Sequence, residues 1–165
     1  MAGILLIVLS CSMIGMLLAS NLSARLRRLE SCLSLLSEIS GRLEYLQPTM
    51  YSLITSLAGQ ERFEQLVFLR QCAQSMQAGR PFSSSWASAL DECSHQLGRE
   101  EAAILASLGD ILGRSDLESQ LSALALAKQQ LEQRVDTARE KVLTQSKLYR
   151  SMGVLGGAAA AIILM

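Results

Sequence analysis

The chain has 165 residues and no formal net charge at pH 7, and half of its residues are hydrophobic while only 18% are charged. That length fits one modest domain, and the neutral balance argues against a nucleic-acid-binding protein, which needs a basic excess. All fifteen Lys and Arg residues and all fifteen Asp and Glu residues lie between Arg25 and Arg150. Both ends of the sequence are therefore uncharged.

The first uncharged segment, MAGILLIVLSCSMIGMLLA, covers Met1 to Ala19. A bilayer core needs about 20 apolar residues in a helix, because lipid offers the backbone no hydrogen bonds and a helix supplies its own. A secretory signal peptide would instead need a basic stretch before its apolar core, and none is evident. We predict an N-terminal transmembrane helix over residues 1–22.

The last segment, SMGVLGGAAAAIILM from Ser151 to Met165, is the second candidate. As a helix it measures about 22 Å, against a hydrocarbon core of about 30 Å. Arg150 can snorkel back to the headgroups and extend it, so we predict a C-terminal transmembrane helix over residues 151–165. A C-terminal helix buried in a soluble core is the alternative.

Basic residues sit on the inner side of both predicted spans: Arg25, Arg27, Arg28, Lys141, Lys147 and Arg150. By the positive-inside rule, residues 23–150 are cytoplasmic and both termini lie outside. Small residues recur four apart in each span, as Gly15 with Ala19 and Gly153 with Gly157, which lets transmembrane helices approach closely. Pairing of the two spans and homo-oligomerisation both remain open.

Leucine-rich stripes with a period near 3.5 predict two long helices that pack side by side. One stripe comprises Leu22, Leu26, Leu29, Leu33, Leu36 and Leu43. The other comprises Leu117, Leu121, Leu124, Leu131, Val135, Ala138, Val142 and Tyr149. Period-two alternation is missing, so the predicted fold is all-α, a helical bundle whose two long antiparallel helices continue into the transmembrane helices.

The segment between the long helices is predicted to form a head of shorter helices. Pro48 ends the first long helix, because the residue before a proline resists the helical conformation. Glu61–Gln77 is predicted as one helix, and one of Ser83–Ser85 as the cap of the next. Gly98 ends that helix, and the following one is predicted to run to Leu112.

The stretch LGDILGRSDLESQ, Leu108 to Gln120, is predicted to be the corner where the second long helix begins. Gly113 suits the left-handed residue after a helix end, and Ser115 with Glu118 suits a capping box. A glycine inside a helix costs about 1 kcal/mol, so Gly109 indicates close approach by a neighbouring helix. Structural packing is the simpler reading of this corner. The other is a partner surface, whose candidate residues are Gly109, Asp110, Gly113, Arg114 and Asp116.

Motifs for catalysis or cofactor binding are missing from the sequence. Neither GxxxxGK[ST] nor GxGxxG occurs, and His95 is the only histidine, whereas a metal site needs three or four converging ligands. We therefore predict a protein that is not an enzyme and that binds no cofactor or metal. The cysteines have no CxxC spacing and are predicted to be small hydrophobic residues: Cys11, Cys32, Cys72 and Cys93.

Three segments, MQAGRPFSSSWASAL, LGDILGRSDLESQ and KLYRSMGVLGGAAAAIILM, resemble the stage III sporulation protein AB family. The resemblance covers essentially the whole chain and is strongest from Leu108 to Met165. That family is itself similar to the platform protein of type II secretion and type IV pilus machines. Gly79 with Ala89 and Leu90 corresponds loosely to one platform segment, and Gly109–Gly113 to another, with Asp110 in place of Glu.

The resemblance implies a non-enzymatic component of the channel between mother cell and forespore in endospore-forming bacteria. It implies the outer forespore membrane, a domain in the mother-cell cytoplasm, and a secretion-type ATPase and other channel subunits as partners. It also implies a requirement for the protein in sporulation. From the residues alone, a transmembrane signalling or sensor stalk, with paired helices passing motion across the bilayer, is the alternative function.

Overall fold

The computed structural model describes the backbone of residues 2–164 and the side chains of residues 20–144. Over that backbone the regular structure is entirely helical, which confirms the all-α prediction. The helices are α1 (Ala2–Leu46), α2 (Met50–Ala58), α3 (Val67–Gln77), α4 (Phe82–Glu92), α5 (Ser94–Leu97), α6 (Arg99–Ala106) and α7 (Leu117–Leu164). A single 3-10 turn, Glu61–Phe63, lies between α2 and α3.

The chain divides into two compact units. One comprises Met1–Leu26 and Asp136–Met165, and the other comprises Arg27–Val135. The predicted packing residues of the spans lie outside the residues whose side chains are described: Gly15, Ala19, Gly153 and Gly157. Within residues 20–144, no helix combines the length and the apolar character needed to cross a membrane.

In the Arg27–Val135 unit, α1 and α7 both contribute rows of buried apolar side chains. From α1 these are Leu29, Cys32, Leu35, Leu36, Ile39 and Leu43, and from α7 they are Leu124, Ala127, Leu131 and Val135. Leu43 of α1 and Leu117 at the start of α7 line one cavity, and Ser40 and Lys128, further along α7, line another. The two helices therefore run antiparallel within this unit, as the stripes predicted.

The buried face of α1 differs in part from the predicted stripe. Leu29, Leu36 and Leu43 are buried as predicted, but Leu33 is only partly buried. Cys32, Leu35 and Ile39 are buried in addition. The shorter helices also pack against α1, as hydrogen bonds from Arg28 to the Gln96 carbonyl and from Arg42 to the Ser56 hydroxyl show, so the apolar surface of α1 is wider than a two-helix seam.

Trp86 forms the centre of the head. Its side chain is fully buried, and its indole Nε1–H donates a hydrogen bond to the Leu105 carbonyl oxygen at 2.7 Å. The ring of Phe68 meets it edge-on with centroids 5.4 Å apart, and Phe82 packs against it at the same centroid distance. This one side chain thereby joins α3, α4 and the end of α6.

Several predicted helix boundaries are wrong. The predicted helix Glu61–Gln77 is interrupted, because Leu66 leaves the helical conformation at φ −89° and ψ 78°. The residue before α4 is Pro81, which offers no side-chain cap, and the Ser84 hydroxyl donates to its carbonyl. The helix expected to reach Leu112 ends at Ala106 and continues as turns. Gly98 ends a helix at φ 110°, as predicted, but that helix is the short α5, because the helix predicted to reach Gly98 breaks at Cys93.

A cluster of ion pairs at Glu38 joins α1 to the segment after α2, and it predicts a pH dependence of stability. Arg62 and Arg42 both bind the Glu38 carboxylate and hold its pKa below the usual 4.5. A carboxylate whose pKa is lower in the folded state than in the unfolded state stabilises the fold at every pH above the unfolded-state pKa. This stabilisation is lost as the pH falls through the folded-state pKa.

Glu38→Gln is therefore expected to lower the urea midpoint of the full-length protein at pH 6 to 7, and the difference from wild type should close below about pH 4.5. The single tryptophan, Trp86, is buried and reports unfolding by its fluorescence. Glu44→Gln, an exposed carboxylate on the same helix, is the matched control. A difference that grows as pH falls would contradict the assignment.

Candidate functional site

The corner between α6 and α7 consists of consecutive turns that end at a left-handed glycine. The Leu112 amide donates to the Leu108 carbonyl at 2.9 Å, and Gly113 then adopts φ +80°. Only glycine adopts this conformation without strain. A Cβ at Gly113 would also lie 2.7 Å from Cγ of Met50, the first residue of α2. The prediction of a left-handed residue here is confirmed.

Asp116 caps α7, so the predicted capping box of Ser115 and Glu118 is wrong. The Asp116 carboxylate accepts hydrogen bonds from the Ser119 amide at 3.0 Å and from the Ser119 hydroxyl at 2.8 Å. The Ser119 amide bond lowers the pKa of Asp116, followed by the Ser119 hydroxyl bond. Asp and Ser are comparable N-caps. With Asp116 as the cap, α7 begins at Leu117. A capping box needs Glu or Gln three residues after the cap, and Glu118 is only two residues after Asp116.

Gln120 closes the corner, although it belongs to no motif predicted from the sequence. Its side chain is 9% exposed. Its Oε1 accepts from the Gly113 amide at 3.2 Å, and its Nε2 donates to the Ser115 carbonyl at 2.7 Å. The available signal was position, because Gln120 precedes Leu124 by four residues and so lies on the buried face of α7.

Gly109 belongs to the packing of the corner. It is buried in the turns after α6, whereas a position inside a helix was predicted. An added Cβ would lie 3.0 Å from Cδ1 of Trp86 and 3.6 Å from the Ser83 carbonyl oxygen. The predicted close approach is therefore confirmed, and its partner is α4.

The other four candidate residues are exposed: Asp110, Gly113, Arg114 and Asp116. Asp110 and Arg114 form an ion pair at 3.8 Å, with side chains 85% and 66% exposed. An exposed pair of this kind adds little to stability. Both charges therefore lie on a rigid corner where a partner can reach them.

The cysteines of the described chain have the properties of core residues. Burial raises the pKa of Cys32 and of Cys72 to about 12, and it also raises the pKa of Cys93, with a smaller contribution from Glu92. Such thiols stay protonated at neutral pH and are poor nucleophiles. Among residues 20–144, no group of three His, Cys, Asp or Glu side chains is arranged to hold a metal ion.

These features define an all-helical protein with an apolar core, neutral buried thiols and a charged surface. The chain belongs to the stage III sporulation protein AB family, whose sequence model matches residues 1–165, the whole chain. Membership implies a role in sporulation. No curated protein and no solved structure matches the chain.

Gln120→Leu is expected to destabilise the protein by about 1–3 kcal/mol, because it leaves the Gly113 amide and the Ser115 carbonyl without their partner. Urea unfolding followed by Trp86 fluorescence measures the effect. Gln129→Leu, at an exposed position of the same helix, is the matched control and should change stability little. Equal effects of the two substitutions would show that the Gln120 amide does not hold the corner.

Proposed function

We propose that this protein is a membrane-anchored, non-enzymatic adaptor of the channel between mother cell and forespore, a platform on which a cytoplasmic secretion-type ATPase and channel subunits assemble. The observation that carries the proposal is the charge distribution: a helical body, Arg27–Val135, lies in the sequence between two uncharged segments. Family membership supplies the sporulation context.

The two uncharged segments, residues 1–22 and 151–165, serve in this proposal as transmembrane anchors in the outer forespore membrane. The basic residues beside them favour the cytoplasm for the body between them and the outside for both termini. In non-sporulating cells that express the full-length protein in the plasma membrane, a cysteine introduced by Gln130→Cys should be protected from a membrane-impermeant maleimide until the membrane is permeabilised. Labelling of intact cells at this exposed position would reject the proposed topology.

The ATPase-docking role is proposed for the corner that bears Asp110 and Arg114. Two nearly solvated charges of opposite sign contribute little to the fold. Opposed charges are well suited to select a partner and fix its orientation. Three features hold this corner in one geometry: the conformation of Gly113, the Asp116 cap and the hydrogen bonds of the Gln120 side chain. Because the corner is already ordered, less entropy is lost when a partner binds.

Site-specific photocrosslinking of the full-length protein in sporulating cells tests this role. A photoreactive residue at position 110 or 114 should give an adduct with a secretion-type ATPase or another channel subunit, and one at the exposed Gln74 in α3 should not. Identical adduct patterns from position 74 and from the corner would reject the docking role.

A further inference from the structure

An open groove follows the first four turns of α7. Three adjoining cavities, of about 520, 540 and 360 Å³, share lining residues. Leu117 lines the first and second, while Leu121 and Ala125 line the second and third. The groove therefore continues from Pro48, at the start of α2, to Glu132 on α7. Along the α7 axis this distance is about 22 Å, the length of a helix of about 15 residues.

The groove exposes apolar surface that the described part of the chain leaves open. Leu117 and Leu121 belong to the stripe predicted to pack between the two long helices, yet both are only partly buried, and Ala125 is exposed. The buried side chains of α7, which include Leu124 and Ala127, lie on the adjacent face. The beginning of α7 is thus apolar on two faces, of which one forms the core and the other lines the groove.

The rim of the groove is acidic. Glu44 lies on the α1 side, and Glu118 and Glu132 lie on the α7 side, all with exposed side chains. Lys128 is the one basic residue among those that line these three cavities. Three carboxylates against one ammonium group attract a basic ligand and repel an acidic one.

We propose that this groove binds an amphipathic helix from another protein of the channel complex. The apolar side chains of that helix, spaced at i, i+3 or i+4, and i+7, fill the floor formed by Leu117, Leu121 and Ala125. Its Lys and Arg residues lie opposite Glu44, Glu118 and Glu132. The inference rests on the proposed platform role and specifies the chemistry of one partner.

The charge of the rim selects a different protein over a second copy of this chain. In a two-fold symmetric dimer the same surface of each copy contacts the other. Two acidic rims would then face each other, and like charges across an interface oppose binding. A basic helix gains from the same carboxylates.

The test places a photoreactive residue at Ala125 in the full-length protein in sporulating cells, with Gln130 on α7 as the matched control outside the groove lining. Position 125 should give an adduct that position 130 does not. Mass spectrometry of the adduct should identify a segment with helical apolar periodicity and flanking Lys or Arg residues. An adduct with a second copy, a segment without basic residues, or equal yields at both positions would overturn the proposal.

Charge reversal on the rim provides a second readout. Glu132→Lys should lower the yield of the position 125 adduct about fivefold, and Lys128→Glu should raise it. Both side chains lie at the edge of the groove, and maleimide protection of the buried Cys72 verifies that each variant is folded. No change, or changes of the opposite sign, would overturn the electrostatic assignment.

The two proposals fail in different ways. If the corner positions 110 and 114 crosslink to channel subunits while position 125 does not, the groove proposal is wrong and the platform role stands. If position 125 crosslinks to a basic helix of a protein unrelated to sporulation, the platform role fails while the chemistry of the groove is correct.

Discussion

Replacing Trp86 with alanine is expected to destabilise the protein by about 3–5 kcal/mol, the usual cost of removing a large buried aromatic side chain. The indole is fully buried between Phe68 and Phe82. Its removal leaves a cavity against both rings and leaves the Leu105 carbonyl without its donor. Since native stabilities are about 5–15 kcal/mol, we expect a large fraction of the variant molecules to unfold under mild conditions.

Alkylation of Cys72 measures this effect without the tryptophan signal. The thiol is buried in α3 and should react with maleimide only when the head opens. Trp86→Phe is the matched control, because it retains an aromatic ring in the cavity and loses the hydrogen bond to Leu105. It should be less destabilised than Trp86→Ala. Equal protection of Cys72 in wild type and Trp86→Ala would show that the indole does not hold the head together.

The sequence predicted the features that follow from local periodicity. Heptad spacing of leucines identified two long helices, because a stripe of period 3.5 fits a neighbouring helix and little else, and their antiparallel direction was inferred from the uncharged segment next to each stripe. Gly98 was correctly assigned as a helix-ending residue and Gly113 as a left-handed one, since a positive φ excludes most other residues. These inferences needed no knowledge of the tertiary structure.

Features decided by tertiary packing could not be predicted from the sequence. Ser115 and Asp116 are both suitable N-caps, and the turn that precedes α7 determined which of them is used. The spacing from Leu124 places Gln120 on the buried face of α7, but only the positions of the Gly113 amide and the Ser115 carbonyl give its side-chain amide a structural role. The groove beside Leu117 and Leu121 could not be predicted either, because the stripe placed both residues between the two long helices.

Two glycine substitutions are expected to change stability in opposite directions. Gly109→Leu should destabilise the protein by about 1–3 kcal/mol through overpacking, because even a Cβ would lie 3.0 Å from Trp86 and 3.3 Å from the Ala106 carbonyl oxygen. Gly41→Ala should stabilise it by about 0.5–1 kcal/mol. Gly41 lies in the interior of α1, and an added Cβ there meets no atom within 4 Å.

Urea unfolding of the full-length protein, followed by Trp86 fluorescence, compares the two variants directly. Gly41 lies inside a helix, where alanine is the better helix former, so Gly41→Ala should gain stability. The contact between Gly109 and Trp86 predicts the opposite sign at position 109. A stabilised Gly109→Leu variant would mean that α4 does not approach the corner closely. In that case the glycine would not be needed to hold Asp110 and Arg114 in the geometry proposed for partner docking.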